Sequence, residues 1–203
     1  MIFVRDKGRM CNNILQYGHL YAWARANNRK TVSMRFAYKY QYFHICRTRW
    51  HNFFVYLLAK YAAKLKLIPT VTFDTPDEDL TEKENAMRHG CLVAEGWYAR
   101  WYDLFLQYKP EILSLFAFDS HIENKVTSLL ETSSKDGIIR LGVHIRRGDY
   151  ATWNDGRFLY DDKQMVNIIR QFILLHPNKR VVIYICGNDP KLNKQAYSDA
   201  FGQ

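Results

Sequence analysis

Residues 138–150 read IIRLGVHIRRGDY, in which a run of strand-forming residues ends in a histidine, two arginines, a glycine and an aspartate. The run over 138–145 has the mostly apolar pattern of a strand in a sheet that is covered on both faces. A helix over 161–175, a second strand over 180–186 and a last helix after Pro190 are predicted to follow. Because parallel strands are joined by crossover helices, this half of the chain predicts a parallel β-loop-α-β-α unit.

The first half of the chain predicts the same fold class. A short strand over 2–4 and the glycine-containing loop GRMCNN lead into a helix whose apolar residues recur at helical spacing. Further strands are predicted at 30–34, at 70–73 and from Cys91, and further helices at 50–65 and, broken near Pro110, at 101–131. The aromatic residues of the helix at 50–65 have core spacing, so we expect them to be buried and the lysines to lie outside.

A polar turn at 133–137, SSKDG, predicts the boundary between two domains. The expected N-terminal α/β domain comprises residues 1–132, and residues 133–203 form the second domain. With 203 residues, of which 48% are hydrophobic, the chain is long enough for one large domain or two small ones.

The charge of the chain is unevenly distributed. The formal net charge is +9, and no acidic residue lies between Asp6 and Asp74, where lysine and arginine are frequent. Such a surface favours anionic partners: nucleic acid, a membrane face or phosphate-bearing small molecules. The four cysteines are far apart and suggest neither a disulfide framework nor a structural metal site. Because the sequence shows no signal peptide and no apolar run of membrane-spanning length, we expect a cytoplasmic protein.

The polar residues after the strand over 138–145 form the candidate site, because ligands of open parallel sheets bind beyond the carboxyl ends of the strands. Strand alternation places Arg146 and Arg147 on opposite sides, with His144 on the side of Arg146. We therefore expect Arg146 to clamp a phosphate group through two hydrogen bonds, and Arg147 to pair with Asp149 and fix the loop. The alternative is a strand end whose arginines make only surface salt bridges.

The sequence HIRRGDY, 144–150, resembles the HxRRxD motif of the α-1,2, α-1,6 and protein O-fucosyltransferase superfamily, and it is most similar to the HxRRGDY form of glycosyltransferase family 11. A second similarity is the segment GRMCNN from Gly8, which lies where these enzymes carry a glycine-rich GxxGNQ-type loop before a helix. Both segments occur in the order of the family. The resemblance implies a GT-B fold of two Rossmann-like domains that face each other across a cleft.

The resemblance also implies roles for the residues that match the motifs. Arg146 matches the arginine that binds the diphosphate of GDP-fucose, and Arg147 matches its partner. His144 and Asp149 complete the motif. Asn12 matches the asparagine of the N-terminal loop that faces the donor. These positions are the donor-binding residues that the resemblance predicts.

A third similarity is weaker. Asn188 and Asp189, in YICGNDP, resemble the short acidic motif that follows the next strand and lies near the nucleotide. A turn and helix cap is an equally good interpretation of these residues. Two departures lie in the N-terminal loop, where Cys11 replaces the usual glycine and Asn13 the usual glutamine.

Family members usually continue beyond the position that corresponds to Gln203, so the resemblance implies an incomplete second domain. An uncovered strand edge invites pairing with another chain. Two outcomes follow: self-association through this half of the chain, or very low transfer activity with weak binding of GDP. The second outcome is the one we expect, because catalysis by positioning fails when one wall of the cleft is missing.

The implied reaction is the inverting transfer of fucose from GDP-fucose to a hydroxyl of a glycan or lipid-linked oligosaccharide, with a galactoside and an α-1,2 linkage expected. Such a transfer needs the departing diphosphate to be neutralised and the acceptor hydroxyl to lose its proton. Arginine suits the first task, so no metal or other cofactor is expected. Arg146 and Asp149 are the predicted catalytic residues, and Asp6 and Asp149 are the candidates for a general base.

Three alternatives stay open. The triplet Asp77-Glu78-Asp79 fits the pattern of metal-dependent sugar transferases, although its acidic, proline-led context is typical of a helix start. The basic first third, which interleaves aromatic residues such as Tyr38 and Trp50 with cations, could bind nucleic acid, but it carries no recognised motif and no nucleic-acid partner is expected. The chain could also be a truncated, non-catalytic family member. Peripheral contact with the anionic inner face of a membrane is compatible with an enzyme.

Overall fold

The computed structural model describes residues 1–76, 78–131 and 137–202. By its contacts the chain divides into two compact units, Met1–Asn124 (unit 1) and Lys125–Gln203 (unit 2). Across the described residues, no helix is both long and apolar enough to span a lipid bilayer. Most of the predicted boundary segment 133–137 lies outside the described residues, and the division after residue 132 stays a prediction.

A four-stranded parallel sheet forms the centre of unit 1. Its strands are β1 (Ile2–Arg5), β2 (Thr31–Ser33), β3 (Thr70–Thr72) and β4 (Leu92–Glu95), in the order β2-β1-β4-β3. The central strand β1 pairs with two neighbours, so that Ile2 lies opposite Thr31 of β2 and Leu92 of β4. Ile2 and Val4 are buried on one face of the sheet, as the two-residue period of a strand requires.

The helices of unit 1 lie between and after these strands. They are α1 (Met10–Ala26), α2 (Phe53–Lys64), α3 (Thr81–His89), α4 (Tyr102–Gln107) and α5 (Lys109–Leu115), with a 3-10 turn at His44–Arg47; α6 (Ser120–Glu131) begins in this unit. The predicted helical stretch over 101–131 is therefore three helices. Pro110 lies in the first turn of α5, where a missing N–H costs nothing, and the break falls at Tyr108.

The prediction that α2 buries its aromatic face is wrong. Phe54 and Leu58 are 78% and 72% exposed, whereas the one fully buried residue of the helix is Ala59. Ala59 packs with Met34 and Val93 of the sheet region. The helix has two apolar faces, and the face with small side chains packs against the sheet because it permits the closer approach. The larger side chains are then left on the outside.

Unit 2 is built on two parallel strands, β5 (Ile138–Ile145) and β6 (Arg180–Gly187), which pair along their whole length. The helices α7 (Asp162–Leu174) and α8 (Lys194–Phe201) complete it, which confirms the predicted β-loop-α-β-α order. Asp161 begins α7 with a capping box, in which its side chain accepts from the backbone of Gln164 at 2.7 Å.

The prediction that β5 is covered on both faces is wrong for the described residues. Val143 and Ile145 are buried and pack with residues of both helices, such as Ile169 of α7 and Tyr197 of α8. The alternate positions, which include His144, are exposed. The helices α7 and α8 both pack on the face of β5 that carries Val143 and Ile145. The polar residues of the strand lie on the other face.

A comparison of two leucines tests the conclusion that Leu58 lies on the exposed face of α2. The reference is Leu20, a core residue of α1. Leu20 of α1 is 1% exposed, and Leu58 is 72% exposed. We expect Leu20→Ala to lower the free energy of unfolding by about 2 to 5 kcal/mol, because it leaves a cavity in the core. Leu58→Ala should change it by less than about 0.5 kcal/mol. Urea unfolding followed by circular dichroism measures both values, and equal losses would contradict the assignment.

Candidate functional site

The candidate site lies beyond the carboxyl end of β5. The chain leaves the strand at Arg147, whose φ of −121° and ψ of −58° are not those of a strand, and enters a 3-10 turn at Gly148–Ala151. A second turn at Trp153–Gly156 follows, in which Asn154 and Asp155 both adopt the left-handed conformation. Asparagine and aspartate tolerate this conformation better than most residues. The two turns fold the segment between β5 and α7 into one wall of a pocket.

The pocket has a volume of about 480 Å³. Its lining residues are His144, Ile145, Arg146, Tyr150, Trp153, Phe158, Tyr160 and Met165. The rings of Tyr150 and Trp153 are stacked at 5.2 Å, and that of Phe158 lies 5.4 Å from Trp153. Such a continuous aromatic wall suits a planar ring or the apolar face of a sugar.

Sequence reasoning did not select these aromatic residues. The segment YATWNDGRFLY, 150–160, follows the motif directly and is rich in aromatic residues. Trp153 is 53% exposed, although a residue of that size is seldom left so open without a ligand or partner. The density of aromatic residues immediately after an arginine motif was therefore a usable signal.

Arg146 lies at this pocket and is oriented from two sides. Its Nε and Nη2 atoms donate to the two carboxylate oxygens of Asp149 at 3.3 and 2.8 Å. Its guanidinium lies 4.5 Å from the ring centre of Tyr150. The hydrogen bonds that Arg146 donates to Asp149 raise the pKa of Arg146 above its usual value, so the group stays charged. Together the carboxylate and the ring fix the plane of the guanidinium.

The predicted pairing of Arg147 with Asp149 is therefore wrong. Arg147 lies on the buried side of the strand end, where its Nη2 atom donates to Asp162 at 2.6 Å and its Nε atom to the carbonyl of Tyr160 at 2.9 Å. Its Nη1 atom lies 3.5 Å from Asp189. Arg146 and Arg147 are adjacent and therefore point to opposite sides of the chain. The turn after Arg147 brings Asp149 to the side of Arg146, whereas Arg147 faces the start of α7.

The carboxylate of Asp162 is strongly bound in this arrangement. It accepts from Arg147 and, at 2.8 Å, from the hydroxyl of Tyr197. The bond from Arg147 lowers the pKa of Asp162, and burial raises the pKa of Tyr197 to about 12. Asp162 thus stays ionised and Tyr197 stays protonated near neutral pH, so the link between β5, α7 and α8 persists.

Asn188 and Asp189 support the same loop from β6. The Asn188 side chain accepts from the backbone N–H of Arg147 at 3.0 Å. A Cβ atom at position 148 would lie 2.8 Å from the Asn188 amide, so the close approach requires Gly148. Asp189 also accepts from the backbone of Lys191 at 2.8 Å, which is a turn. The helix-cap interpretation is wrong, because the cap of α8 is Asn193.

The structure thus separates the predicted residues of unit 2 into two groups. His144 and Arg146 line the pocket, and Asp149 orients Arg146. Arg147, Asn188 and Asp189 lie behind the loop and hold it in place. His144 is exposed on the outer face of β5, on the side of Arg146 that strand alternation predicted.

The N-terminal loop is in unit 1 and is held by Gln16. The Gln16 side chain donates to the carbonyls of Lys7 and Asn12 at 2.7 and 3.1 Å. Gly8 has a φ of 90°, a conformation that favours glycine. Asn12 is exposed in the first turn of α1. Asn13 is fully buried, and neither polar atom of its side chain has a hydrogen-bond partner among the described residues.

Asp6 follows β1 directly and is 2% exposed. Its carboxylate accepts from the Ser33 hydroxyl at 2.7 Å and from the backbone of Arg35 at 3.2 Å. The backbone N–H of Ser33 in turn donates to His51 at 2.9 Å. Burial raises the pKa of Asp6 to about 6, against the stabilising hydrogen bonds. A carboxyl with this pKa can accept a proton near neutral pH.

The acidic triplet has local roles where it is described. Asp77 lies outside the described residues. Glu78 forms an ion pair with Lys83. Asp79 accepts from the backbone and hydroxyl of Thr81 at 2.9 and 2.6 Å, and these bonds lower its pKa. The predicted helix start is confirmed, because α3 begins at Thr81. The described part of the chain holds no group of three His, Cys, Asp or Glu residues that could bind a metal ion.

No family model matches the sequence, and no curated protein matches it. The structure is similar to that of NodZ α-1,6-fucosyltransferase soaked with GDP-fucose, with a TM-score of 0.52 and 14% sequence identity over 98% of this chain and 75% of that chain. Two structures of POFUT1, an apo form and a complex with GDP-fucose, align with TM-scores of 0.45 and identities of 11% and 9%, over 98% of this chain and 81% and 80% of theirs.

At these identities the comparison with NodZ concerns the fold alone. It confirms the predicted α/β fold with parallel sheets, as in fucosyltransferases of the GT-B type, whereas two domains that face each other across a cleft stay a prediction. The roles of individual residues depend on the geometry described above.

The two arginines are expected to differ in their effect on stability. Arg147→Lys should lower the free energy of unfolding by about 1 to 3 kcal/mol, because one ammonium group cannot serve Asp162, Asp189 and the carbonyl of Tyr160 together. Arg146→Lys is the matched control, and it should change this energy by less than about 1 kcal/mol because its partner is exposed. Urea unfolding measures both, and a larger loss for Arg146→Lys would contradict the assigned roles.

The raised pKa of Asp6 predicts that the free energy of unfolding depends on pH differently in the wild type and in Asp6→Asn. The pKa is raised from 3.8 to about 6 in the folded protein, so the stability that Asp6 contributes is present below pH 3.8 and is lost as the pH rises through 6. The variant lacks this dependence. Relative to wild type, the free energy of unfolding of the variant should therefore increase by about 2 kcal/mol between pH 4 and pH 7.5. A constant difference over this range would contradict the raised pKa.

Proposed function

We propose that this chain is a GDP-fucose-dependent fucosyltransferase and that the pocket at Arg146 binds the donor. The observation that carries the proposal is the fixed guanidinium of Arg146 beside an aromatic-lined pocket of about 480 Å³, beyond the carboxyl end of a parallel strand. The resemblance of HIRRGDY to the fucosyltransferase motif supports it. The NodZ crystal was soaked with GDP-fucose, which makes this nucleotide sugar the first ligand to consider.

Arg146 has the donors that a diphosphate requires. Its contacts with Asp149 use the Nε proton and one proton of Nη2, and a guanidinium carries five N–H donors. The other edge can therefore offer hydrogen bonds to phosphate oxygens without loss of the Asp149 pair. Because the charge of arginine is permanent, it can neutralise a leaving diphosphate without a metal ion.

The aromatic wall supplies the remaining binding surface. Trp153 and Phe158 are 53% and 39% exposed, so a planar base could cover them on binding. Stacking of a base on an aromatic side chain contributes about 1 to 3 kcal/mol. His144, which lines the pocket at the end of β5, is proposed to donate a hydrogen bond to the ligand. Asn12 is proposed as a further donor contact because the resemblance assigns that role to it.

In the proposed reaction, the acceptor hydroxyl oxygen forms a bond to the anomeric carbon of fucose while the bond from that carbon to the diphosphate oxygen breaks. The electron pair leaves with GDP, Arg146 stabilises the new negative charge, and the hydroxyl proton passes to a base. Asp6 and Asp149 are the two candidate bases. Burial raises the pKa of Asp6 to about 6, which suits proton transfer near neutral pH. In both residues the two carboxylate oxygens already accept hydrogen bonds, so the geometry favours neither.

The finer features of the reaction are also proposals. They are a galactoside or lipid-linked glycan acceptor, an α-1,2 linkage, inversion at the sugar carbon and a cytoplasmic location. The aromatic residues of the basic region divide on the nucleic-acid alternative, because Tyr38 packs at 4.5 Å on Tyr56 whereas Trp50 is 37% exposed beside the guanidinium of Arg49. It is the weaker proposal because the sequence carries no recognised nucleic-acid motif. Fucose transfer to a panel of β-galactosides, with linkage analysis of the product, tests the acceptor and the linkage.

Donor binding should depend on the fork of Arg146. Calorimetry should show tighter binding of GDP and GDP-fucose than of UDP or ADP sugars. Arg146→Lys should weaken GDP binding by at least about tenfold, since lysine keeps the charge but loses the planar pair of donors. Arg170→Lys, an exposed arginine of α7, is the matched control and should bind as wild type does. A preference for UDP sugars would exclude the proposed donor.

Trp153 gives a second test of the same pocket. Trp153→Ala should weaken GDP binding by about tenfold through the loss of stacking. Trp97→Ala is the matched control, because Trp97 is 42% exposed and lies in unit 1. If the two variants bind GDP equally well, the aromatic wall is not the nucleotide site.

A further inference from the structure

The outer face of α2 is a surface that the proposed reaction does not use. Phe54, Leu58, Tyr61 and Leu65 recur at intervals of four, three and four residues, so they lie on one side of the helix and of the residue after it. They are 78%, 72%, 52% and 66% exposed. We call these four residues the outer stripe.

The outer stripe contributes nothing to the core of unit 1. The opposite face of α2 makes the packing contact, through Ala59 with the partly buried Tyr56 and Ala63. Phe53 and Leu67, near the two ends of the helix, are also more than half exposed, at 52% and 74%. A contiguous apolar surface of this kind on a folded unit marks a place of contact with a partner or a membrane.

The charges beside the outer stripe are positive. Lys60 and Lys64 lie one turn apart on the neighbouring side of the helix, and Lys66 follows it. Lys60 and Lys64 also line a pocket of about 500 Å³, whose other charged residues are Arg5, Arg35 and the carboxylate Asp6. The sequence from Lys7 to Phe73 contains no acidic residue. The surface therefore combines exposed apolar side chains with cations on one helix.

We propose that α2 binds the surface of an anionic lipid bilayer, with the outer stripe in the boundary between headgroups and acyl chains and Lys60 and Lys64 at the lipid phosphates. An interfacial helix has this composition, with phenylalanine and leucine on one face and lysines beside it. A second copy of the chain is a poorer occupant of the same face, because it would bring the lysines of two helices together. This inference does not depend on fucosyl transfer.

The negative charge of the lipid headgroups is what should distinguish the proposed partner of α2 from a neutral bilayer. An anionic headgroup offers a phosphate to each lysine, and each lysine near such a membrane surface contributes about a fivefold increase in affinity. A neutral bilayer offers the apolar layer but no net surface charge, so it should bind much less protein.

Co-sedimentation with vesicles tests the proposal. The full chain is mixed with vesicles of phosphatidylcholine alone or with about a third phosphatidylglycerol, at low and at physiological salt. We expect binding to the anionic vesicles that decreases as salt increases, and little binding to the neutral ones.

Two double variants separate the apolar and the ionic contributions. Phe54→Ser with Leu58→Ser should reduce partition into anionic vesicles by at least about tenfold. Lys60→Gln with Lys64→Gln should reduce it by about tenfold or more and should reduce its dependence on salt. The matched control is Leu106→Ser with Leu113→Ser, two leucines of unit 1 outside α2 that are 64% and 61% exposed. Unchanged circular dichroism establishes that each variant is folded.

Several outcomes would overturn the proposal. One is the absence of binding to anionic vesicles at low salt, and another is equal binding by the outer-stripe variant and the control. If glycerol phosphate in solution displaces the protein from vesicles at millimolar concentration, Lys60 and Lys64 bind a soluble phosphate instead. If sedimentation velocity shows a dimer that Phe54→Ser with Leu58→Ser dissociates, the occupant of the face is a second copy.

Discussion

The ion pair between Arg147 and Asp162 holds together the part of the molecule that carries the candidate site. Arg147 lies two residues beyond the end of β5, Asp162 is the first residue of α7, and the same carboxylate accepts from Tyr197 of α8. Asp189 after β6 adds a second carboxylate to the guanidinium. The arginine side chain is 15% exposed, so this charge is partly removed from water and must be satisfied by these partners. With Arg147 fixed behind the loop, the adjacent Arg146 is directed to the opposite side, at the pocket.

Local patterns predicted much of this arrangement. The strands and helices of unit 2 follow from apolar runs and turn residues, and strand alternation alone predicted that Arg146 and Arg147 would have different roles. The partner of Arg147 could not be predicted in this way, because Asp162 is fifteen residues away and is brought near by the packing of α7 on β5. Asp149 was the near candidate in sequence, and the turn after Arg147 places it on the side of Arg146.

The two incorrect predictions of burial have different causes. A helix with apolar residues on two sides, such as α2, has no sequence signal that says which side is packed, and the surrounding elements decide that the side with Ala59 packs against the sheet. In β5 the alternation does carry a signal, because Val143 and Ile145 alternate with His144, and only the apolar side faces α7 and α8. The aromatic wall of the pocket was missed for another reason. Trp153 and Phe158 have no periodic pattern, and their contact results from two turns, the second of which contains the left-handed residues Asn154 and Asp155.

The contacts of Arg146 with Asp149 and Tyr150 also affect how the free energy of ligand binding at the pocket should divide between enthalpy and entropy. A free arginine side chain loses rotamer entropy worth up to about 2 kcal/mol when a ligand immobilises it. Here the guanidinium is held by two hydrogen bonds and a ring before any ligand arrives, so folding has already restricted its rotamers. An anion that binds Arg146 therefore meets a side chain with little freedom left to lose. Its affinity should be dominated by the enthalpy of the charge-assisted hydrogen bonds.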